Sequence, residues 1–418
     1  MKIENVNIVL PEKVVFGTVS FQGEKIESVE IISDENKECT QYVMAAGIDP
    51  HVHLRDPGFT QKETVETGTK SALHGGITTV FDMPNTAPAT ISQNAFDMKV
   101  EHFKENSECN WKLFLGVTEK NLEFLETIES PYLAGFKIYL GSSTGDLLLE
   151  KDSAIRNAFE IAAERDLVVS LHCESEKLLQ EGRKNFTGDL KDPASHSEMR
   201  SEMAAYESVK HSIQLARETG ARINVCHVST SIEMDLIVAA KKEGLKVTCE
   251  MAPHHLFLDT ESYKKFGTRV QMNPPLRSPE TRKKLWSFIK NGDVDMIATD
   301  HAPHTLEEKD QEFGKAPSGI PGLESSFPLM LSKYESKELT LSEITCLMSK
   351  HAADIFELNT GKIAEGKDAD LILLDFSEDW KVENGKMQTK NNWSAFDGLV
   401  VPGKLKKIWM KGKECYCN

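Results

Sequence analysis

The sequence predicts an α/β protein whose centre is a (β/α)8 TIM-like barrel and whose two ends form one small β-sandwich-like domain. In the middle of the chain, short β-rich apolar runs alternate with longer helix-like stretches, which is typical of parallel strands joined by helices. At both ends, apolar and polar residues alternate over short spans, as in antiparallel strands. We therefore expect residues 1–45 and 356–418 to form the small β domain and residues 46–355 to form the barrel.

Eight apolar runs are predicted to be the barrel strands, and eight strand–helix units are the number that closes such a barrel. They are Ala46–Arg55, Ile77–Asn85, Trp111–Val117, Gly135–Leu140, Leu167–Glu174, Arg222–Ser229, Lys246–His255 and Asp295–Pro303. Helices are expected between them, for example over Asn94–Asn106, Asp152–Arg165 and Ser197–Thr219. The long interval between the fifth and sixth strands contains Leu179–Ser195, which we interpret as an irregular insertion.

Composition and charge exclude several classes of function. The 418 residues carry a formal net charge of −16, which is unfavourable for binding nucleic acid or an anionic membrane surface. No run approaches the roughly 20 apolar residues that cross a bilayer. The eight cysteines form no CxxC pair and are expected to be small buried residues in a reducing compartment. These observations predict a soluble, cytoplasmic protein.

Metal-competent side chains are concentrated on five of the predicted barrel strands. These are His51 and His53 on the first strand, Lys137 on the fourth, His172 and His227 near the ends of the fifth and sixth, and Asp300 near the end of the eighth. The i, i+2 spacing of the first pair puts both imidazoles on one face of the strand. Because the carboxyl ends of all barrel strands meet at one mouth, these side chains are expected to share a metal site there. For each histidine taken alone, the alternative is a buried core residue whose hydrogen bonds are all made within the protein.

Lys137 raises a separate question, since an unpaired cation inside a barrel strand is costly. One interpretation is a lysine that points outward and keeps its amine in water. In the other, the amine loses its proton and reacts with carbon dioxide, and the resulting carbamate bridges two divalent ions. Nitrogen and oxygen donors without a thiolate favour zinc, with manganese or cobalt tolerated. Two such ions would activate a bridging water, which predicts metal-assisted hydrolysis or its reverse.

Several motifs connect the chain with a known family. HVHLRDPG, MPNT, GFKIYLG, MNPPLR, ATDHAPH and APSGIPGLE occur in this order, and together they closely resemble the dihydroorotases of the amidohydrolase superfamily. The resemblance covers nearly the whole chain. It implies reversible cyclisation of N-carbamoyl-L-aspartate to (S)-dihydroorotate, a ring-closing step of de novo pyrimidine biosynthesis. It also implies two zinc ions bridged by a carboxylated Lys137.

The resemblance further implies a role for each matching residue. The metal ligands would be His51, His53, Lys137, His172, His227 and Asp300, and Asp300 would also be the catalytic acid/base. The substrate carboxylate would be held by Arg55, Asn85 and His304, and the ring would be contacted by Asn273 and the Ser318–Gly319 segment. Arginine offers a bidentate fork to a carboxylate. Each of these three residues also has an alternative role without a substrate. It is a surface ion pair for Arg55, a turn or helix cap for Asn85 and a cap of the following loop for His304.

Two other functions stay open. A sibling cyclic amidohydrolase, such as an allantoinase or a dihydropyrimidinase, would share the metal centre but would not need the carboxylate clamp. A non-catalytic scaffold with the same fold would be expected to have lost ligands, whereas this sequence keeps all six candidates. The expected partner is a small-molecule substrate, with no nucleic acid and no membrane, and a homodimer is left open. The charged segment Thr305–Ala316 is a candidate mobile lid.

Overall fold

The computed structural model describes residues 1–143 and 147–417. The strands within this range are β1 (Lys2–Val9), β2 (Val14–Gln22), β3 (Lys25–Asp34), β4 (Gln41–Ala45), β5 (Gly47–Val52), β6 (Ile77–Asp82), β7 (Asn110–Gly116), β8 (Leu133–Tyr139), β9 (Val168–His172), β10 (Arg222–Val225), β11 (Val247–Met251), β12 (Met296–Ile297), β13 (Leu371–Lys381), β14 (Val400–Met410) and β15 (Lys413–Cys417).

The helices are α1 (Val65–His74), α2 (Gln93–Asn106), α3 (Leu122–Thr127), α4 (Asp152–Glu164), α5 (Glu176–Asn185), α6 (Ser195–Met199), α7 (Glu202–Thr219), α8 (Ser231–Lys242), α9 (Pro253–Phe257), α10 (Tyr263–Phe266), α11 (Pro279–Lys290), α12 (Leu306–Lys309), α13 (Leu323–Glu335), α14 (Leu341–Thr345) and α15 (His351–Ile355). Short 3-10 turns cover Thr260–Ser262 and Gly267–Val270, and a π-helical turn over Cys346–Lys350 joins α14 to α15. Local sequence sets several helix starts, since Thr64 and Thr230 each cap a helix through a reciprocal capping box.

Strands β5 to β12 form one parallel sheet, with eight strands counted over the described residues, and they follow one another in chain order. The first and last strands of this sheet meet through backbone contacts. The N–H of His53 donates to the carbonyl of His301 at 2.8 Å, and the carboxylate of Asp49 accepts from the N–H of Thr299 at 3.2 Å. The sheet is therefore a nearly closed barrel, and every predicted barrel strand is present.

Each barrel strand ends one to six residues before the predicted run does. The first predicted run extends to Arg55, whereas β5 ends at Val52. At Arg55, His227 and Asp300 the backbone φ is positive, at 63°, 37° and 48°, so the chain turns away from extended geometry there. Such a conformation is costly for residues other than glycine and is concentrated at functional sites. These three side chains line the pocket at the barrel mouth.

The second sheet is built from both chain ends, as predicted. Among the residues that the structure places, it has seven strands in the order β15-β14-β13-β4-β1-β2-β3, and β1 and β4 pair in parallel while the other neighbours are antiparallel. Its own apolar cluster contains Ile8, Val15, Val43 and Leu371, all buried. Only Ala46 separates β4 from the first barrel strand. The domain boundaries at residues 45 and 356 stay a prediction.

Two details of the interval between the fifth and sixth barrel strands differ from the prediction. The segment interpreted as irregular is helical up to Asn185, because α5 packs Leu179 into the interior. The single helix predicted over Ser197–Thr219 is divided into α6 and α7 by Arg200. Arg200 leaves helical geometry with φ −108° and ψ 72°, and its buried guanidinium pairs with Glu174. The buried ion pair thus accounts for the break.

A segment between β13 and β14 reaches back from the small sheet to the barrel mouth. The carboxylate of Glu324 accepts the backbone N–H groups of Gln388 and Thr389 at 2.8 and 2.9 Å. The indole N–H of Trp393 donates to the carbonyl of His304 at 3.1 Å. This segment therefore packs against the loop that carries His304, outside the pocket lining. In the part of the chain that the structure describes, no helix has the length and apolar character needed to cross a membrane.

Candidate metal centre and substrate pocket

The predicted site residues converge on one pocket at the carboxyl ends of the barrel strands. The pocket is lined by His51, His53, Arg55, Asn85, Lys137, His172, His227, Asn273, Asp300, Ser318 and Gly319, together with Tyr139, Ser143 and Ala302. His304 is the predicted site residue outside this lining, and it lies behind Arg55 and Ser318. Residues that are 35 to 86 positions apart along the chain thus face one cavity, as the strand-end rule predicts.

One side of the pocket joins two histidines and an aspartate. Nε2 of His53 lies 3.1 Å from Oδ1 of Asp300, and Nε2 of His51 lies 3.4 Å from the same oxygen. The other ring nitrogen of each histidine is occupied, since Nδ1 of His51 binds Glu250 and Nδ1 of His53 donates to Oδ1 of Asn85 at 2.6 Å.

These contacts leave the Nε2 lone pairs of the two histidines facing the carboxylate of Asp300. Burial lowers the pKa of His53 to about 4, so the ring is neutral near pH 7 and its Nε2 is an acceptor. Burial alone would raise the pKa of Asp300, but the neighbouring histidines hold it well below its usual range, so this group is a carboxylate. Acceptors that converge in a buried site repel each other unless a cation lies between them. The donor set of His51, His53 and Asp300 therefore fits a metal ion.

The other side of the pocket joins His172, His227 and Lys137. Nδ1 of His172 lies 3.1 Å from Nε2 of His227, while Nε2 of His172 binds Oε2 of Glu174 at 3.0 Å. The amine of Lys137 is fully buried, lies 3.1 Å from Sγ of Cys226 and forms no ion pair with any residue that the structure describes. A buried lysine without a counter-charge is unfavourable. The outward-pointing interpretation of Lys137 is wrong, because this residue lines the pocket.

Sequence reasoning missed the acidic residues that support these histidines. Glu174 follows His172 by two positions, so the i, i+2 rule that linked the first pair of histidines would have placed it on the same face. Glu250 lies next to the end of the seventh barrel strand, β11. Carboxylates behind ligating histidines fix the ring orientation and the tautomer. Both acids are thus recognisable from strand position.

Arg55, with His304 behind it, forms the part of the pocket suited to an anion. Arg55 is buried, and it forms no ion pair within residues 1–143 and 147–417. Its terminal nitrogen lies 3.2 Å from Nε2 of His304. That Nε2 also lies 3.0 Å from the carbonyl oxygen of Ser318, so it carries the hydrogen. Since Ser318 accepts that hydrogen, the guanidinium of Arg55 is the group left facing the pocket, and an acceptor with negative charge would satisfy it.

The Asn273 and Ser318–Gly319 segments form the wall beside this anion site. The N–H of Gly319 donates to the carbonyl of Gln271 at 2.9 Å. Gly319 has φ +132°, and a Cβ there would lie 2.4 Å from the carbonyl oxygen of Ala302, so only glycine fits this close approach. Asn273 contacts His196. His196 lies in α6 and is buried.

The charged segment Thr305–Ala316 is anchored to the same wall. It contains α12, and the fully buried amine of Lys309 donates to the carbonyls of Gln271 and Pro317 at 2.9 and 2.8 Å. Burial lowers the pKa of Lys309 to about 7. These contacts connect the segment to both ring-facing stretches. Its role as a mobile lid stays a prediction.

Comparisons with known proteins agree with this geometry. The model of the Amidohydrolase family matches residues 42–415. A dihydroorotase from Clostridioides difficile is 35% identical over 415 residues, which are 99% of this chain and 96% of that protein. A dihydroorotase from Halobacterium salinarum is 36% identical over 389 residues, which are 91% of this chain and 89% of that protein.

Solved structures share the fold. The L-hydantoinase (dihydropyrimidinase) from Arthrobacter aurescens superposes with a TM-score of 0.93 at 27% identity, covering 99% of this chain and 95% of that one. A D-hydantoinase (dihydropyrimidinase) from a Thermus species superposes with a TM-score of 0.86 at 26% identity, with 99% and 94% covered. Because the family match spans nearly the whole sequence and the relatives align over most of it, this chain belongs to the amidohydrolase family.

Proposed function

We propose that this protein is a dihydroorotase, which interconverts N-carbamoyl-L-aspartate and (S)-dihydroorotate. The observation that carries the proposal is the buried guanidinium of Arg55, which lines the pocket and forms no ion pair with any residue that the structure describes. Both forms of the proposed substrate carry a carboxylate that fits there. The dihydroorotase names of the relatives support the same assignment.

The donor set supports two zinc ions as cofactors. His51, His53 and Asp300 would hold one ion, and His172 and His227 the other, because these groups supply nitrogen and oxygen without thiolate. A carboxylated Lys137 between the two groups would be shared by both ions, and this modification would replace a buried cation by a carboxylate. The chemistry that such ions supply is a water made acidic near neutral pH and a polarised amide carbonyl.

The proton transfers would be made by Asp300. Its low pKa keeps it a carboxylate, which can take the proton of the attacking water and give it to the leaving ring nitrogen during hydrolysis. In the synthetic direction the same oxygen would take the proton from the attacking amide nitrogen. Arg55, Asn85 and His304 would hold the substrate carboxylate meanwhile. Asn273 and the Ser318–Gly319 backbone would hold the ring, so that the reacting carbonyl stays beside Asp300.

The alternative within the family is a dihydropyrimidinase. The hydantoinase structures have the same fold, so the fold alone favours this function as much as the proposed one. Its substrates carry no carboxylate on the ring, so they would leave the charge of Arg55 unpaired. The proposed reaction belongs to de novo pyrimidine biosynthesis. That role, a cytoplasmic location and a homodimer are further parts of the proposal.

The test is a direct assay of ring closure at mildly acidic pH and of ring opening at alkaline pH, with dihydrouracil and hydantoin as comparison substrates. We expect turnover of the carboxylate-bearing pair, and we expect Arg55→Ala to lose this activity at least about 100-fold while the metal content stays that of the parent. Equal turnover by Arg55→Ala, or preference for dihydrouracil, contradicts the proposal. A folded protein without bound metal and without activity would instead indicate the scaffold.

A further inference from the structure

The short helix α6 carries a histidine that contacts the substrate wall from outside the pocket. His196 lies in the interval between the fifth and sixth barrel strands, and it is buried. Its Nε2 lies 2.9 Å from the backbone carbonyl oxygen of Met272 and 2.9 Å from Oδ1 of Asn273. It is not part of the pocket lining, whereas Asn273 is. A group behind the pocket thus contacts a group that faces it.

The contact with the backbone carbonyl of Met272 determines which nitrogen of the His196 ring carries the hydrogen. A carbonyl oxygen can only accept, so Nε2 of His196 carries the hydrogen that it shares between its two neighbours. The atom of Asn273 beside Nε2 must then be the carbonyl oxygen of its carboxamide, because the amide nitrogen would oppose two donors. The orientation of the Asn273 carboxamide therefore follows from the backbone carbonyl of Met272, which can only accept. The amide N–H2 group of Asn273 is the end turned away from His196.

The surroundings of His196 hold this arrangement. Burial lowers its pKa to about 4, so the ring is neutral near pH 7 and its tautomer is the one that the backbone requires. The ring packs edge-on against Phe313, with 6.0 Å between the centroids. At the other end of the same helix, Arg200 pairs with Glu174 and so fixes the position of α6 relative to the barrel strands.

We propose that His196 is a positioning residue that makes Asn273 a hydrogen-bond donor to the substrate. By accepting from His196, Oδ1 of Asn273 is excluded from the pocket, and the N–H2 group is left to face the ligand. The pocket then selects a ring with an oxygen acceptor at this position, such as the carbonyl of a cyclic amide. The identity of that ring rests on the proposed function, whereas the orientation of the amide does not.

A purely structural role for His196 makes a different prediction from a positioning role. If His196 only stabilises α6, its loss lowers the stability and affects catalysis whether or not Asn273 is present. If it acts through Asn273, its loss has no further effect once Asn273 has been removed. Double-mutant cycles measure this dependence.

The experiment compares the variants His196→Phe, Asn273→Ala and the double variant, each loaded with metal. Phenylalanine keeps the ring but lacks the N–H. For dihydroorotate hydrolysis we expect His196→Phe to raise KM about tenfold with kcat within about twofold, since one hydrogen bond of typical strength is lost in binding. In the Asn273→Ala background the same change is expected to alter KM less than about twofold. His196→Gln, which can donate again, is expected to recover most of the affinity.

His211→Phe is the matched control, because His211 lies on α7 with an exposed side chain and outside the pocket. It is expected to leave KM unchanged. Fully additive effects of the two substitutions, or an unaltered KM in His196→Phe, overturn the proposal. If His196→Phe does not fold, His196→Gln provides the test. The proposal is overturned if the KM of His196→Gln is raised as far as the KM of Asn273→Ala.

Nitrogen-15 NMR of the parent protein tests the orientation without any assay of activity. The imidazole signal assigned to His196 is expected to show hydrogen on Nε2 and none on Nδ1. The opposite tautomer overturns the inference even if dihydroorotate is turned over. Conversely, a protein with the expected tautomer that does not turn over dihydroorotate would contradict the proposed function and leave the orientation of Asn273 intact.

Discussion

Nε2 of His172 lies 3.0 Å from the carboxylate of Glu174, and the same carboxylate is paired with Arg200 behind it. Burial alone would raise the pKa of Glu174, but Arg200 and the hydrogen bond from His172 hold it well below its usual range. Glu174 is therefore a permanent acceptor. It keeps the hydrogen of His172 on Nε2 and turns the lone pair of Nδ1 towards His227.

Replacing Glu174 with Gln is expected to weaken metal binding at this side of the pocket. The amide can present its nitrogen to His172 and reverse the tautomer, and such changes behind a metal ligand typically cost about 10–100-fold in metal affinity. Metal content after dialysis against a graded chelator series measures the loss. Glu207→Gln, at a half-buried position of α7 outside the pocket, is the control. An unchanged affinity would show that Glu174 does not orient a ligand.

Replacing Lys137 with Met is expected to remove the shared ligand. The variant keeps a buried side chain of similar length but cannot form a carbamate, so we expect loss of bound metal and a fall in kcat/KM of about 100-fold or more. Elemental analysis and a steady-state assay measure both. Lys112→Met, on the neighbouring strand β7 and outside the pocket, is expected to keep the metal. Full metal content in Lys137→Met would contradict the shared-ligand role.

Replacing Lys99 with Met is expected to destabilise the fold strongly. The amine of Lys99 lies 2.6 Å from Asp82 and donates to the carbonyl of Met83 at 2.9 Å, and both charged side chains are buried. Removing one member of a buried ion pair leaves the other uncompensated, which costs about 3–5 kcal/mol. Denaturant unfolding measures the loss. Lys104→Met, on the exposed side of α2, is expected to leave the stability close to that of the parent.

Stability is expected to fall as pH rises through the range in which Glu324 ionises. Burial raises the pKa of Glu324 from an ordinary value of 4.5 to about 7. The folded state therefore binds more protons than the unfolded state between these values, so this group stabilises the fold below about pH 4.5 and loses that contribution as pH rises past about 7. The substitution Glu324→Gln removes this pH-dependent contribution to the free energy of unfolding.

The check is the free energy of unfolding of the parent and Glu324→Gln at pH 5 and pH 8, with the exposed Glu335→Gln on the same helix as control. We expect the parent to lose more stability than Glu324→Gln between the two values, and Glu335→Gln to follow the parent. Identical pH dependence in all three proteins would exclude a raised pKa at Glu324.

The barrel and the candidate ligands could be predicted because they obey a simple geometric rule. Apolar runs of strand length identify each barrel strand, and polar residues near their carboxyl ends must meet at one mouth. His172 and His227 are 55 positions apart in the chain and have ring nitrogens 3.1 Å apart in the structure. The rule needs only strand order, which the alternation of strands and helices supplies.

Other features depend on contacts that have no local pattern. The early end of β5 reflects the positive φ of Arg55, which a run of apolar residues does not reveal. The break between α6 and α7 depends on a partner of Arg200 that is 26 positions away. The contact of His196 with Asn273 joins residues 77 positions apart, through a helix of only five residues. Such pairings become visible only when the packed structure is known.

The indole of Trp393 donates to the backbone of His304, and the stretch before it is held by the buried Glu324. During synthesis on the ribosome, the barrel residues emerge before this stretch does. A nascent chain that has reached only residue 355 therefore lacks the stretch that packs against the backbone of His304, although every candidate ligand has already been made. Catalytic competence would thus arise only late in translation, after the distal stretch has docked.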